Sequence, residues 1–237
     1  MESGILYILA TPIGNLEDIT FRAIRILKDE VYIVYCEDTR QTRKLLKHYA
    51  INTPTQSLHT HSSPQKIKST VDLLLGGKSI AYVTDSGTPG LSDPGSRLVA
   101  AAREQGITIC PIPGPSALAA LVSVSGFHGK SIAFCGFLSK KESRRRKELL
   151  SLKDFNGMII LYESPYRIKK LLGSIRETFP GRPVLIGREM TKIHEEFIYD
   201  TIENLTARVD TIKEKGEFTV AIFNSSDPIK LETEDKD

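Results

Sequence analysis

The segment Asp85–Gly95 has the composition of a loop that lets a ligand approach its backbone closely. Its eleven residues include three glycines and two prolines, which permit turns with positive φ and leave little side-chain bulk around the backbone. The preceding run, 79–84, is typical of a buried parallel strand, and residues 96–105 show helical periodicity. In open α/β sheets, ligands bind beyond the carboxyl ends of the strands, where this loop would lie. A stiff turn between strand and helix would have a similar composition, so one loop leaves both interpretations open.

The same arrangement occurs twice more, which favours a ligand site. Thr11–Leu16 follows an apolar run at Ile5–Leu9, and Pro113–Ala117 follows another at Ile107–Ile112. Three loops of small residues after three apolar strands predict a crevice at the carboxyl edge of one sheet. The sequence lacks GxGxxG, and it lacks GxxxxGK followed by Ser or Thr. It is therefore neither an ordinary dinucleotide-binding fold nor a P-loop ATPase.

A cluster of cations in the second half of the chain points to a polyanionic partner. Residues 140–147 contain six cations and one anion, although the whole chain is only mildly basic, with a formal net charge of +3. A charge run is usually the solvated face of a helix. Six adjacent cations repel one another, however, and a phosphate backbone would relieve that repulsion. The acidic tail, 225–237, is predicted to be disordered.

The cysteines and the amino-terminal residues predict a cytoplasmic protein. Cys36, Cys110 and Cys135 lie in apolar runs without CxxC spacing, as expected for buried free thiols in a reducing compartment. The first residues lack the basic region and long apolar core of a signal peptide, and no stretch reaches membrane-spanning length. We therefore expect no membrane association. His59 and His61 lack an obvious third ligand, so no metal site is predicted.

The order of the elements predicts an α/β fold with two α/β domains. As far as residue 112, apolar strands alternate with helices, which implies right-handed βαβ units and a mostly parallel sheet. Residues 123–130 interrupt this pattern with two glycines. Consecutive strands near Gly187 and Phe197 then suggest a hairpin, so the second sheet is expected to be mixed. The predicted domains are 1–124 and 125–224, with the cofactor cleft between them, followed by the tail 225–237.

Seven sequence motifs, taken in order, resemble one family. The motifs lie between Ala10 and Lys192, and the match extends over nearly the whole chain, from Ile5 to Phe223. Any one of them would be weak evidence, but seven in register are specific. Together they resemble the RsmI family of ribosomal RNA methyltransferases, within the tetrapyrrole-methylase-like superfamily. The motifs are ATPIGNLEDIT (Ala10–Thr20), CEDTR (Cys36–Arg40), DSGTPGLSDPG (Asp85–Gly95), PGPSA (Pro113–Ala117), GFL (Gly136–Leu138), YESPYR (Tyr162–Arg167) and REMTK (Arg188–Lys192).

The resemblance implies an enzyme that uses S-adenosylmethionine to methylate the ribose 2′-hydroxyl of a cytidine in 16S rRNA of the small ribosomal subunit. It also implies a homodimer. Carried over by position, the residues around the cofactor are Ile13, Asp85, Thr88, Leu91, Ser116 and Ala117 in the first domain and Phe137, Leu138, Tyr162 and Ala221 in the second. Ser116 and Ala117 would offer N–H groups to the methionine carboxylate, and the second set would surround the adenosine. The apolar members could instead simply fill the core.

The implied chemistry depends mainly on alignment. The donor sulfur departs as a neutral thioether, so most of the acceleration can come from holding the acceptor oxygen in line in a dry cleft. A ribose hydroxyl is a poor nucleophile, and a positioned base would help. The candidates are Glu37, Asp38, Asp85 and Glu189, among which the sequence does not choose. Asp38 could instead cap a helix, and Glu189 could pair with a neighbouring cation.

The predicted contacts to RNA phosphates are basic side chains, which position a substrate without reading its sequence. They are Arg40, Arg43 and Lys44 in the first domain and Lys140, Lys141, Arg144, Arg145, Arg146 and Lys147 in the second. Three rival functions stay open. A small-molecule methylase of the same superfamily would not need the cation cluster, and a non-catalytic RNA-binding factor would not retain S-adenosylmethionine. Nucleotide hydrolysis is disfavoured by the missing phosphate-binding loop.

Overall fold

The structure is a computed structural model that describes residues 2–59, 62–90 and 95–225. It divides into two compact units, one as far as Ser116 and one from Ala117 onward. The sequence places this boundary one helix later, at residue 124. The helix between the two boundaries, Ala117–Ser123, packs against the strand Phe218–Asn224 of the second unit. This contact explains why the helix groups with that unit. Leu91, His61 and most of the acidic tail lie outside the described residues.

The first unit contains a parallel sheet of five strands in the order β3-β2-β4-β1-β5. This confirms the parallel sheet that the sequence predicts. Short 3₁₀ and π-helical turns at Leu16–Asp18 and Ile26–Glu30 adjoin the first helix. The strands and helices are β1 (Leu6–Leu9), α1 (Phe21–Arg25), β2 (Ile33–Cys36), α2 (Thr39–His48), β3 (Thr55–Ser57), α3 (Pro64–Leu75), β4 (Ile80–Val83), α4 (Gly95–Glu104) and β5 (Ile109–Ile112).

Helices cover both faces of this sheet, which explains why its strands are continuous apolar runs in the sequence. Every residue of β4 is at most 1% exposed, as expected for a parallel strand that is covered on both sides. One core cluster joins the sheet to α1 and α2 through residues such as Ala23 and Leu46. The other joins it to α3 and α4 through residues such as Leu74 and Leu98. The resulting three layers hold the carboxyl ends of the strands in fixed positions.

The second unit contains a mixed sheet in the order β6-β7-β10-β8-β9. Strands β6 and β7 are parallel and the other neighbours are antiparallel, which confirms both the predicted mixed sheet and the predicted β8–β9 hairpin. A 3₁₀ turn at Val209–Thr211 precedes the last strand. The strands and helices are α5 (Ala117–Ser123), β6 (Ile132–Phe137), α6 (Glu142–Leu150), β7 (Gly157–Glu163), α7 (Ile168–Thr178), β8 (Pro183–Arg188), β9 (Glu196–Thr201), α8 (Ile202–Ala207) and β10 (Phe218–Asn224).

The two faces of the second sheet have different neighbours. Helices α6, α7 and α8 pack on the face that carries Ile159 and Val220. On the opposite face, the Leu121 side chain of α5 lies so close to Gly187 that a Cβ on this glycine would come within 2.9 Å of Leu121 Cδ1. We call these the helix face and the open face of the second sheet.

Two smaller observations concern the thiols and membranes. All three cysteines are free, and burial raises the pKa of the Cys36 and Cys135 thiols, which disfavours the reactive thiolate. Within the described ranges, no helix is long and apolar enough to cross a bilayer.

Candidate functional site

Four loops meet at one edge of the first sheet. Strands β2, β4, β1 and β5 are consecutive neighbours and run parallel, so the segments that follow them emerge side by side. These segments are 37–38, 84–90, 10–15 and 113–116. We call this region the carboxyl edge. It brings together the first four motifs found in the sequence, which lie as far as 100 residues apart along the chain, and it is where ligands bind in open α/β sheets.

The loops after β1 and β4 are joined by a short antiparallel bridge. Thr11 N–H donates to the Gly87 carbonyl and Gly87 N–H donates to the Thr11 carbonyl, each at 3.0 Å. The Thr11 hydroxyl also donates to Thr84 O at 3.0 Å, and the Thr84 hydroxyl donates to Gly87 O at 3.1 Å. Gly87 has a φ of +83°, a conformation that glycine adopts without strain. The loop therefore has one defined shape.

The loop after β5 is attached to the same assembly. The Thr88 hydroxyl donates to Pro115 O at 3.0 Å. A Cβ at Gly87 would lie 3.4 Å from Ile13 Cγ2 and 3.8 Å from Pro115 O, so this glycine leaves a small cradle between three loops. Ile13 is buried and Thr88 is half-buried. Three predicted cofactor residues, Ile13, Asp85 and Thr88, thus lie in loops that are joined to one another.

Asp38 and Asp85 connect the loops after β2 and β4. Asp85 Oδ1 accepts a hydrogen bond from Asp38 N–H at 2.9 Å. The Asp38 side chain caps α2 by accepting from Arg40 N–H at 2.8 Å, and it forms an ion pair with the Arg40 guanidinium at 2.7 Å. These hydrogen bonds lower the pKa of Asp38 to about 2, so Asp38 is a weak base. Glu37 and Asp85 are solvent-exposed.

Glu189 lies in a network of ion pairs and hydrogen bonds in the second unit. Its Oε1 accepts from Lys192 Nζ at 2.8 Å and from Glu217 N–H at 3.0 Å. Burial raises the pKa of Glu189, but the two donors and the nearby cations outweigh burial, and the net shift is downward. Glu189 also has a φ of +50°, and its side chain fills the space beside Gly216. These contacts indicate that Glu189 maintains the turn after β8.

The predicted adenosine residues divide between the two faces of the second sheet. A bulge between Phe134 and Gly136 shifts the register of β6, so Phe134 and Phe137 both contact the ring of Tyr162, with centroids 4.9 and 5.7 Å away. Ala221, on β10, belongs to the same open face and is fully buried. Leu138 instead packs in the core on the helix face. Its side chain therefore does not share a wall with Phe137 and Tyr162.

The predicted RNA-binding cations also differ in their surroundings. On α2, Arg40 forms an ion pair with Asp38, Arg43 donates to the Thr55 hydroxyl at 3.1 Å, and Lys44 donates to Gln41. All three are exposed. Lys140 and Lys141 are exposed just before α6, and Arg144 and Lys147 are exposed on it. Arg146 is also exposed and forms an ion pair with Glu177.

Arg145 departs from the sequence prediction. It is 4% exposed, and its Nε donates to the Ser174 hydroxyl at 3.0 Å. The guanidinium therefore joins α6 to α7 inside the second unit and is not available to a phosphate on the surface. The reason is helical periodicity, because Arg145 lies four residues before the buried Leu149 and shares its inward face.

Sequence reasoning assigned no role to the other residues of the YESPYR motif, where the structure places a partly buried ion pair. Arg167 Nη2 lies 3.2 Å from Glu163 Oε2, and the two side chains are 18% and 1% exposed. The same nitrogen donates to the carbonyls of Leu138 and Ser139 at 2.9 and 3.1 Å. Glu163 Oε1 accepts from Ser164 N–H. The spacing of four residues is no signal for this pair, because that rule applies within a helix and Glu163 ends a strand.

The fold and the carboxyl edge define a class of protein. The crystal structure of uroporphyrin-III C-methyltransferase from Thermus thermophilus, complexed with S-adenyl homocysteine, has the same fold. The TM-score is 0.62 at 15% sequence identity, over 92% of this chain and 97% of that chain. The family model of the tetrapyrrole (corrin/porphyrin) methylases matches residues 5–206. The predicted two-sheet α/β fold is thereby confirmed.

Two curated relatives match at much higher identity. Ribosomal RNA small subunit methyltransferase I of Leptospira biflexa is 43% identical over 100% of this chain and 98% of its own length. The protein of the same name from Borrelia garinii is 46% identical over 94% of this chain and 100% of its own length. The chain therefore belongs to the tetrapyrrole methylase family and, within it, to the ribosomal RNA small subunit methyltransferase I family. The resemblance seen in the seven motifs is confirmed.

Proposed function

We propose that this protein transfers a methyl group from S-adenosylmethionine to the ribose 2′-hydroxyl of a cytidine in 16S rRNA of the small ribosomal subunit. The observation that carries the proposal is the full-length similarity to ribosomal RNA small subunit methyltransferase I, which includes both units. The ribosomal RNA methyltransferase class and the use of S-adenosylmethionine follow from this family. The ribose oxygen and the cytidine follow from the motif resemblance alone.

Two features of the carboxyl edge support binding of the methyl donor there. Gly87 leaves the cradle between the loops that a Cβ would fill. Asp85 and Glu37 are exposed carboxylates in two of the loops at this edge, which suits a ligand with a sulfonium and an ammonium group. When bound, S-adenosylmethionine supplies a methyl group on a positively charged sulfur. Ile13 and Thr88 would contact it from two joined loops. The roles of Leu91, Ser116, Ala117, Phe137, Leu138, Tyr162 and Ala221 stay predictions.

Asp85 is the carboxylate best placed to accept the proton of the ribose hydroxyl. Asp38 is engaged by Arg40 and has a lowered pKa, and Glu189 is engaged by Lys192 and Glu217. Asp85 is exposed, and the Asp38 N–H orients one of its oxygens. We therefore assign the base to Asp85, with Glu37 as the second candidate at the same edge. Such a base contributes roughly 10²- to 10⁴-fold to a rate.

The remaining elements of the proposal concern partners and place. The exposed cations of α2 and α6 would bind the phosphates of the RNA, Arg145 excepted. A homodimer and a cytoplasmic location rest on the family resemblance and on the free thiols. Light scattering after size-exclusion chromatography at micromolar concentration tests the dimer, for which a monomer mass would be the contrary result.

Replacing Gly87 with alanine should weaken the binding of S-adenosylmethionine by about tenfold. An alanine at a φ of +83° costs roughly 1–2 kcal/mol, and its Cβ would occupy the cradle beside Ile13. The loop would have to shift to relieve this strain, and Thr11 and Thr84, which form hydrogen bonds with Gly87, would shift with it. Isothermal titration calorimetry measures the dissociation constant.

The control for this variant is Gly106→Ala. Gly106 has a φ of +68°, and a Cβ added to it would have no atom within 4 Å. It lies between α4 and β5, at the opposite edge of the sheet. This variant should lose similar stability but keep its affinity for S-adenosylmethionine. Equal affinity in both variants would contradict the placement of the methyl donor at the carboxyl edge.

Replacing Lys140, Lys141 and Arg144 together with alanine should flatten the salt dependence of RNA binding. Each phosphate contact contributes about 0.7 to the slope of log Kobs against log salt for a single strand, so the slope should fall by roughly 2. Filter binding at several salt concentrations measures it. A triple alanine variant of Lys68, Lys170 and Lys213 has the same change in net charge at other exposed positions. It should keep the slope of the wild-type protein, and an equal loss in both variants would refute specific contacts at α6.

Methyl transfer to small ribosomal subunits tests the proposed function directly. The protein is incubated with tritium-labelled S-adenosylmethionine and with subunits from cells that lack this activity, and nuclease digestion then locates the label. Label on the 2′-oxygen of one cytidine of the 16S rRNA is expected. Transfer to neither subunits nor free rRNA, with the methyl donor still bound, would overturn the proposal and favour a small-molecule acceptor.

A further inference from the structure

Two exposed aromatic rings lie at one edge of the second sheet. Tyr166 is 83% exposed and Phe137 is 58% exposed. Phe137 ends β6, and Tyr166 follows the end of β7. Because β6 and β7 are parallel, with Phe137 paired to Tyr162, their carboxyl ends are adjacent. Isolated apolar residues on a surface are common, but two large rings where the loops after β6 and β7 begin form a defined feature.

Hydrogen bonds hold these two loops together. Arg167, the residue after Tyr166, donates to the carbonyls of Leu138 and Ser139, the two residues after Phe137. Its ion pair with the buried Glu163 fixes the guanidinium from the other side. The backbone that carries Tyr166 is therefore fixed relative to the backbone that carries Phe137. A rigid support reduces the entropy that a ligand must offset when it binds to an aromatic ring.

Cations adjoin the same edge. Lys140 and Lys141 follow Ser139 directly, and Arg144 is in the first turn of α6. All three are exposed. Positive charges at the amino end of a helix oppose the helix dipole, so their position is not explained by the stability of α6. Exposed rings next to cations are the usual composition of sites for single-stranded nucleic acid, where bases stack on rings and phosphates contact the cations.

We infer that this edge binds an unpaired segment of RNA, with one base stacked on Tyr166 and the adjoining phosphates near Lys140, Lys141 and Arg144. The inference rests on the proposed function and names its substrate class, a single-stranded region. A continuous duplex would not fit, because its bases are already stacked on one another and offer their faces to no side chain. Tyr166 is the residue that sequence reasoning did not select.

The test uses a short unstructured RNA of about 12 nucleotides, within the usual range of site sizes, with 2-aminopurine placed at each position in turn. One position should change in fluorescence when the wild-type protein binds. Tyr166→Ala should abolish that change and weaken binding about five- to tenfold, at the low end of measured stacking contributions. Tyr166→Phe should retain both, because it keeps the ring. Tyr166→Ala should also fold normally, since the residue is exposed, and its thermal melting checks this.

The matched control is Tyr32→Ala. Tyr32 lies just before the amino end of β2 and is 54% exposed. The Lys78 ammonium lies over its ring, 4.9 Å from the ring centroid. This variant should bind the RNA like the wild-type protein. Unchanged affinity and fluorescence in Tyr166→Ala would overturn the inference, as would a preference of the wild-type protein for a duplex of the same sequence. The wild-type protein could instead show the fluorescence change that depends on Tyr166 but transfer no methyl group to ribosomal subunits. That result would count against the proposed function alone.

Discussion

Replacing Asp85 with asparagine is expected to lower kcat for methyl transfer by about 10²- to 10³-fold, with a much smaller loss of affinity for S-adenosylmethionine, because the exposed Glu37 keeps a negative charge at the carboxyl edge. Asparagine keeps the oxygen that accepts the Asp38 N–H, so the loop after β4 should retain its shape. It removes the negative charge and the ability to take a proton from the ribose hydroxyl, which is the contribution of a general base. Single-turnover transfer of tritium to saturating RNA measures the chemical step.

Asp72→Asn is the control for this variant, because Asp72 is an exposed carboxylate on α3. It should leave kcat unchanged. A normal kcat in Asp85→Asn with a raised dissociation constant for S-adenosylmethionine would show that Asp85 binds the methyl donor and is not the base. Glu37→Gln would then be the next variant. The pKa of Asp38 is about 2, so this carboxylate stays ionised as the pH is lowered to about 4. If activity is already lost on acidification at a higher pH, protonation of Asp38 is not the cause.

The architecture was predictable because both sheets follow simple periodic rules. Strand β4 reads as a continuous apolar run, since a parallel strand under helices on both faces is buried on both sides. The β8–β9 hairpin was predictable because its strands follow one another closely. Parallel strands have their carboxyl ends at the same edge of a sheet whatever their order, so the meeting of four loops at the carboxyl edge was predictable as well. The hydrogen bonds between Thr11 and Gly87 required β1 and β4 to be neighbours, which the sequence alone does not provide.

Arg145 and Leu138 are two candidate site residues whose surroundings the sequence did not predict. Charge alone groups Arg145 with its neighbours, although its spacing to Leu149 assigns it to the inward face of α6. The GFL motif groups Leu138 with Phe137, although alternation along an extended chain places neighbours on opposite faces. The bulge at Gly136, which aligns Phe134 with Phe137, depends on a φ of +59°. A glycine in a strand suggests such a bulge but does not specify its register.

Replacing Arg167 with alanine is expected to reduce the free energy of unfolding of the second unit by about 3 kcal/mol. The Glu163 side chain is 1% exposed, and removal of one partner from a buried ion pair leaves an uncompensated charge, which costs roughly 3–5 kcal/mol. The low end applies because Arg167 is itself 18% exposed. Two partly buried hydrogen bonds to carbonyls are lost as well. Amide hydrogen exchange of β7 and α7 measures the change within this unit.

The reciprocal variant should cost less, and this asymmetry identifies the mechanism. In Glu163→Gln the side chain is neutral, can still accept from Ser164 N–H, and leaves Arg167 bound to the carbonyls of Leu138 and Ser139. Adding Glu163→Gln to Arg167→Ala should therefore recover part of the lost stability, since it removes the unpaired buried charge. If the double variant is no more stable than Arg167→Ala, the cost arises from the two carbonyl hydrogen bonds. Arg167 would then act mainly by holding the loop after β6.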